Sequence, residues 1–516
     1  MHQLPDPDPD LCRRLAADLH AAGFHAERLQ ELWGSAADAA LGRGDALPAR
    51  RAFARTAEAD AGAGPHVGVI ARLFGIGDSV PVTEAERAFP TVGVDGLEAL
   101  CAVVRDGAEV HPQLLIRPQD WVDDTGAGQW WIASDLDEAA LHGALPEDHV
   151  LGVGGASLTL AGLQLPVPTG RVLDLGTGCG IQALRARLFA EAVVATDVSD
   201  RALRMTRLNA LLNGVDGIEL RRGDMFEPVA GEGFDRVVSN PPFVITPRAA
   251  GMPAYEYRDG GRVGDGVVAS FVGTVGSVLA PGGVAQLLGN WETRDGVDGL
   301  DRVRQWVAAS EVPLEAWVIE RERLDPVAYA QLWIRDAGTR AGTAEYDRML
   351  GAWLDDFEAR GVTEIGFGYV LLRRPATGTP ALHRFERVLR PVAEAGLGGA
   401  LARSLAAWDR VSRLDDAGVA ASVLLTAPDV TEARHHLPGA EAPSVIELRQ
   451  GGGFGRVLEV DPALAALVGA CDGDLPVGVL VDAIAELLDA DAPALRTDLL
   501  PRVRELLFIG MLRFAD

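Results

Sequence analysis

Two short stretches carry residue types that chemistry could use, and each follows an apolar run. The first is RVLDLGTGCGIQAL (171–184). An apolar strand ends at Asp174 and Leu175, then come Gly176, Thr177, Gly178, Cys179 and Gly180, and then a helix begins. A strand, a glycine loop and a helix start bring bare backbone up to a ligand. A dinucleotide site wants G-x-G-x-x-G, whose third glycine packs the helix on the sheet; here that position is Ile181. A P-loop needs a lysine after its last glycine, and the chain has none, all 47 Lys-or-Arg positions being arginine. The next apolar run, AVVATD (192–197), ends in Asp197, a carboxylate placed to accept hydrogen bonds from two ribose hydroxyls. The second stretch is Asn240-Pro241-Pro242-Phe243, at the end of FDRVVSN (234–240). The Asn240 side-chain oxygen and the Pro241 carbonyl are two acceptors that the stiff prolines hold in place. Such a pair suits the two N–H bonds of an amide or aromatic amino group, a poor nucleophile because its lone pair is delocalised. Phe243 offers a ring to lie on a planar acceptor. His435-His436 has no Cys or acid at ligand spacing, and the four cysteines are scattered, so no metal site is expected.

The glycine pattern resembles the DxGxGxG loop of class I S-adenosylmethionine (SAM)-dependent methyltransferases. The resemblance implies SAM as cofactor, held by Asp174, Gly176, Thr177, Gly178, Cys179, Gly180 and Asp197, with Asn240 reaching it from the next loop. In that family an Asp at the end of the third strand accepts from the adenine amino group. Here that segment is Gly223-Asp224-Met225-Phe226, with Met225 and Phe226 to flank the ring. The Asn-Pro-Pro-Phe turn resembles the [ND]PP[FYW] signature of N-methyltransferases acting on glutamine side chains, adenine N6 or guanine N2. Rate then comes from aligning nitrogen, methyl and sulfonium. No strong base is needed, since the nitrogen's proton is acidic once the methyl is attached. Together with YRDGGRVGDGV (257–267), similar to a GG-x-DG element, these motifs resemble the HemK/PrmC-type glutamine methyltransferases. That implies transfer to the N5 amide of a protein glutamine, in the best-known members the Gly-Gly-Gln glutamine of a release factor. The chain departs from the pattern at Phe243, where bacterial release-factor enzymes typically carry Tyr, and in both flanking regions. Base methylation in RNA or DNA, amino-group methylation of a metabolite and a non-catalytic SAM-binding regulator stay open as alternatives.

The elements that must position these residues alternate. Seven short apolar runs between 171 and 374 are separated by helical stretches, which predicts an α/β, seven-stranded doubly wound Rossmann-like core. A helical insertion over about 321–361 separates the last two strands. The expected domains are 1–147, an accessory region; 148–376, the methyltransferase domain; and 377–516, a second accessory region. Both flanks read as winged-helix-like. In the first, residues 113–136 form two strands around a turn at Asp123, Asp124 and Gly126, and one of Trp130 and Trp131 packs inward. In the second, a strand pair lies around SVLLTAP (422–428) and VIELRQGGGFGRVLEV (445–460). The net charge of −27 repels phosphates and favours a protein substrate over nucleic acid. No run is long and apolar enough to span a membrane, and the N-terminus lacks the basic start of a signal peptide, so a cytoplasmic location is expected. A homodimer stays open.

Overall fold

The structure, a computed structural model, describes residues 4–59, 66–123, 126–141, 145–146, 148–248, 260–336, 338–378, 381–392 and 396–515. The chain divides into two compact units: Met1–Val122, Ala127–Gln164 and Pro168–Leu389 form the first, and Asp123–Gly126, Leu165–Val167 and Arg390–Asp516 the second.

The first unit is built on one eight-stranded sheet. Its strands are β1 (Thr169–Leu175), β2 (Ala190–Asp197), β3 (Ile218–Arg222), β4 (Phe234–Ser239), β5 (Leu279–Arg294), β6 (Glu315–Leu324), β7 (Val362–Arg373) and β8 (His383–Arg387). The spatial order is β8-β6-β7-β5-β4-β1-β2-β3. β1 to β5 pair in parallel, while β7 runs antiparallel between β5 and β6. Val193–Thr196 of β2 and Arg236–Ser239 of β4 are buried, as expected of parallel strands covered on both faces. The helices that serve the site are α1 (Gly155–Leu163), α2 (Ile181–Ala186), α3 (Asp200–Leu212), α4 (Gly266–Thr274), α5 (Gly299–Ala308), α6 (Pro326–Asp336) and α7 (Ala344–Ala359). The last two are the expected insertion between β6 and β7.

The expected strand count needs one correction. β8 is an eighth strand, and it lies beyond residue 376, in sequence expected to begin the second accessory region. It pairs in parallel with β6 from Ala316↔His383 to Glu320↔Arg387. Its sequence, HRFER, lacks apolar alternation because charge and hydrogen bonding fix it: Arg387 donates to Glu320 (2.6 Å), and Glu386 accepts from the Trp317 indole (2.8 Å).

The N-terminal residues share a core with helix α3 of the sheet domain. Cys12, Leu15 and Leu19 of helix Pro9–Ala21 belong to one buried cluster with Met205, Leu208 and Leu212 of α3. Strand Val80–Pro81, two helices (Val82–Ala88, Gly93–Ala99) and strands Val103–Asp106 and Glu109–Pro112 follow in the order of a winged helix. Strands Leu114–Asp123 and Gly126–Asp135 pair as expected; Asp124 of their turn lies outside the described residues. Trp130 is buried against Trp121, whereas Trp131 is half-buried and its indole N–H donates to the Phe24 carbonyl (2.7 Å).

The second unit corrects the expected strand pair. Val423–Thr426 pairs with Asp472–Pro476 and Leu512–Phe514, while Val445–Gln450 lies between Val430–His435 and Val457–Val460. The polar strand VTEARH, weak in alternation, takes the place expected for SVLLTAP. His435 meets Glu447 (3.2 Å) on an exposed face, and among the described residues no three His, Cys, Asp or Glu side chains group as metal ligands. No described helix is long and apolar enough to cross a membrane.

Candidate cofactor and acceptor site

Sheet register alone assembles the expected residues. Leu175 lies opposite Thr196 on one side and Ser239 on the other, and Asp197 lies opposite Arg222. The next residues on each strand, from Gly176 to Asp197, Gly223-Asp224 and Asn240, therefore emerge together at the C-terminal edge of the sheet. β1 and β4 flank the point where strand order reverses, the crevice in which doubly wound sheets bind ligands. Ser239 Oγ donates to the Leu175 carbonyl (2.9 Å) and ties the two strand ends together.

The glycine loop is held from beneath. Gly176 and Gly178 have φ of +73° and +57°, the left-handed region that favours glycine, and a Cβ on either would meet nothing within 4 Å among the described residues. A Cβ on Gly180 would instead come 2.8 Å from the Thr206 methyl. Thr206 Oγ1 donates to the Gly178 carbonyl (3.1 Å), and Asn209 Nδ2 donates to the Cys179 carbonyl (2.7 Å). Both carbonyls thus turn toward α3. Asp174 is buried and accepts from the Thr177 hydroxyl (2.7 Å). Burial pushes its carboxyl up to about 7, against the pull of that hydroxyl. Asp197 accepts from the Gly178 and Ser199 N–H groups (3.0 and 2.9 Å), and burial raises its carboxyl as well. Burial also pushes the Cys179 thiol up to about 11, so it is no nucleophile. Asp224 is exposed, Met225 takes a left-handed backbone (φ +45°), and Phe226 is buried against Phe271 of α4 (5.5 Å between rings).

The acceptor turn is arranged differently. Asn240 Nδ2 donates to Ser157 Oγ of α1 (3.3 Å), and its Oδ1 is buried without a hydrogen-bond partner among the described residues. A buried orphan acceptor is costly unless something donates to it. Pro241 is buried and Pro242 half-buried. Phe243, expected to lie on a planar acceptor, is 9 % exposed and rests against Phe367 of β7 (5.6 Å). The turn after it is fastened from the insertion: the Ile245 N–H donates to the Tyr329 hydroxyl (3.0 Å), which also accepts from Asn290 of β5. Of the 257–267 segment, residues 257–259 lie outside the described residues. Asp265 accepts from the Glu292 N–H (3.0 Å) and from Arg302 (2.8 Å), while Glu292 pairs with Arg360.

Ser157, Thr206, Asn209, Asn290 and Tyr329 were not singled out from the sequence. A signal existed for two of them. Thr206 and Asn209 are polar residues inside a helix, at positions that face inward.

The residues present fit SAM. Gly176 and Gly178 leave open space for a ligand, Asp197 lies beside them, bonded to Gly178, and the Asn240 oxygen has no donor among the described residues. The chain matches the family described as methyltransferase small domain over residues 154–252. Its flanks match two domains of unknown function, DUF7059 over 21–113 and DUF7782 over 403–514. It is similar to the release factor glutamine methyltransferase of Deinococcus radiodurans, 31 % identical over 226 residues, 40 % of this chain and 79 % of that one. It is similar to the ribosomal protein uL3 glutamine methyltransferase of Bradyrhizobium diazoefficiens, 36 % identical over 114 residues, 22 % of this chain and 35 % of that one. It is also similar to the ribosomal protein L11 methyltransferase of Caldicellulosiruptor bescii, 44 % identical over 85 residues, 16 % of this chain and 27 % of that one. The chain belongs to the class I SAM-dependent methyltransferases, in the family of the HemK/PrmC-type glutamine methyltransferases.

Proposed function

We propose that this enzyme methylates the side-chain amide nitrogen of a glutamine in a protein, in the cytoplasm. The observation that carries the reading is Asn240 Oδ1, a buried acceptor with no partner among the described residues, beside the open glycine loop. SAM, when bound, supplies an electrophilic methyl group on a sulfonium. Gly176, Thr177, Gly178, Cys179 and Gly180 shape its cradle over Asp174, Asp197 takes the ribose hydroxyls, and Asp224 and Met225 take the adenine.

Ser157 holds Asn240 Nδ2 and so fixes which end of that amide faces the acceptor. Asn240 Oδ1 and the Pro241 carbonyl accept the two hydrogens of the glutamine amide. This restrains rotation about the C–N bond and presents the nitrogen lone pair toward the methyl. Preorganised dipoles of this kind act through position and cost no reorganisation at the moment of reaction. Phe243 backs the turn through Phe367 and forms one wall beside the planar amide. The acidic chain and the three relatives, each named for a protein substrate, support a protein acceptor.

The test is methyl transfer from labelled SAM to a purified release-factor domain carrying its Gly-Gly-Gln loop, and to the same domain with that glutamine changed to glutamate. Label that needs both Asn240 and the glutamine supports the reading. Label that persists with glutamate contradicts it.

A further inference from the structure

We propose that Asn209 is a positioning residue of the cofactor loop, and that through it the N-terminal strand Gly126–Asp135 is a working part of the cofactor site. The inference rests on the assignment of residues 176–180 to SAM.

Asn209 is fully buried in the last turn of α3. Its Nδ2 donates to the Ala133 carbonyl (2.9 Å) and to the Cys179 carbonyl (2.7 Å), and its Oδ1 accepts from the Ala133 N–H (2.7 Å). One turn later Asn213 repeats the pattern on Trp131, accepting from its N–H and donating to its carbonyl (2.8 Å each). A primary amide offers a donor and an acceptor side by side, as a peptide group does. Two of them at i and i+4 on a helix therefore complete the strand's edge as a neighbouring strand would, leaving its inward peptides paired.

The two asparagines differ in one respect. Among the described residues Asn213 donates besides only within its own helix, to the Asn209 carbonyl, whereas Asn209 also reaches the glycine loop. With Thr206 on the Gly178 carbonyl, it turns both loop carbonyls away from the face where the glycines leave space. Every hydrogen bond of that amide is spent inside the protein. Strand, helix and loop can thus move only together, because breaking one bond leaves a buried polar group unmatched. The N-terminal region is then not a detachable module but the rear wall of the loop that holds SAM.

SAM titration calorimetry on the full chain tests this. Asn209→Ala should weaken SAM binding by about fivefold to tenfold, the size expected for one lost buried hydrogen bond. Asn213→Ala loses the matching strand bonds without touching the loop and should bind SAM within about twofold of wild type. Equal affinity for the two variants overturns the proposal. Hydrogen exchange on the wild-type chain gives a readout that needs no variant to fold. SAM should slow exchange at 131–133 as well as at 176–184, and protection of the glycine loop alone overturns the proposal. Asp197→Ala separates the two levels. Unchanged SAM affinity there means that the cofactor assignment itself fails. Lost binding there, with Asn209→Ala indistinguishable from Asn213→Ala, means that only the present inference fails.

Discussion

The cofactor side and the acceptor side of the site meet at the ends of β1 and β4, yet they are built in different ways. On the cofactor side the loop between Leu175 and Ile181 is bonded to β1 before it and to β2 and α3 after it: Thr177 to Asp174, Gly178 to Asp197 and Thr206, Cys179 to Asn209. On the acceptor side a turn of four residues is held from afar, by Ser157 before it and by Tyr329 of the insertion after it. It also keeps one buried oxygen without a partner among the described residues. A ligand common to many enzymes can be held by a compact local unit. The acceptor turn instead draws on two elements distant in sequence, α1 and the β6–β7 insertion.

The contrast can be broken by substitution. The largest effect is expected at the orphan oxygen: Asn240→Ala should lower kcat by about a hundredfold to a thousandfold, the loss seen when a preorganised polar group is removed from a reacting centre. SAM affinity, read by calorimetry, should stay near wild type. An equal loss of SAM binding would merge the two sides. Next is Tyr329→Phe, which strips the partner from the buried Ile245 N–H and from Asn290. An unmatched buried group costs about 1–3 kcal/mol. The melting temperature should therefore fall by several degrees and kcat by about tenfold, again with little change in SAM affinity. A smaller effect is expected for Ser157→Ala, about fivefold in kcat, because Asn240 would keep its place but lose the bond that fixes its orientation. Ser157→Thr keeps the hydroxyl and should recover most of the rate, so an equally slow threonine variant would remove Ser157 from this role.

The smallest effect lies on the cofactor side and follows from Asp174. Its carboxyl is raised by burial to about 7, so the free protein carries a proton there in mildly acidic solution. A cationic cofactor above the loop favours the ionised form, so binding releases that proton. SAM affinity should rise as pH increases through about 7, by about threefold between pH 6 and pH 8, with the rise absent in Asp174→Asn. The same dependence in that variant would assign it to another group.

How much of this was legible in the sequence follows the same division. The glycine loop, Asp197 and the Asn-Pro-Pro-Phe turn are contiguous, and each follows an apolar strand, so pattern and order were enough to place them. The partners of the residues that orient them were not legible, although Thr206 and Asn209 stand out as polar residues on an inward helix face. Ser157 lies 83 residues from Asn240, Asn209 lies 30 from Cys179 and Tyr329 lies 84 from Ile245. No local periodicity reports such pairings. β8 was missed for another reason: a charged edge strand secured by Glu320 and Trp317 has no hydrophobic alternation to read. The shared core of helix Pro9–Ala21 and α3 was missed because an apolar stripe shows that a helix face is covered, not what covers it.

The most direct test of the account is to label a lysate from a strain lacking this gene with methyl-labelled SAM, adding either wild-type protein or Asn240→Ala, and to partition the label among protein, RNA and small molecules. The account predicts label in protein, dependent on Asn240 and mapped by peptide sequencing to a glutamine side chain. Asn240-dependent label in RNA or in a small molecule, with none in protein, would contradict it.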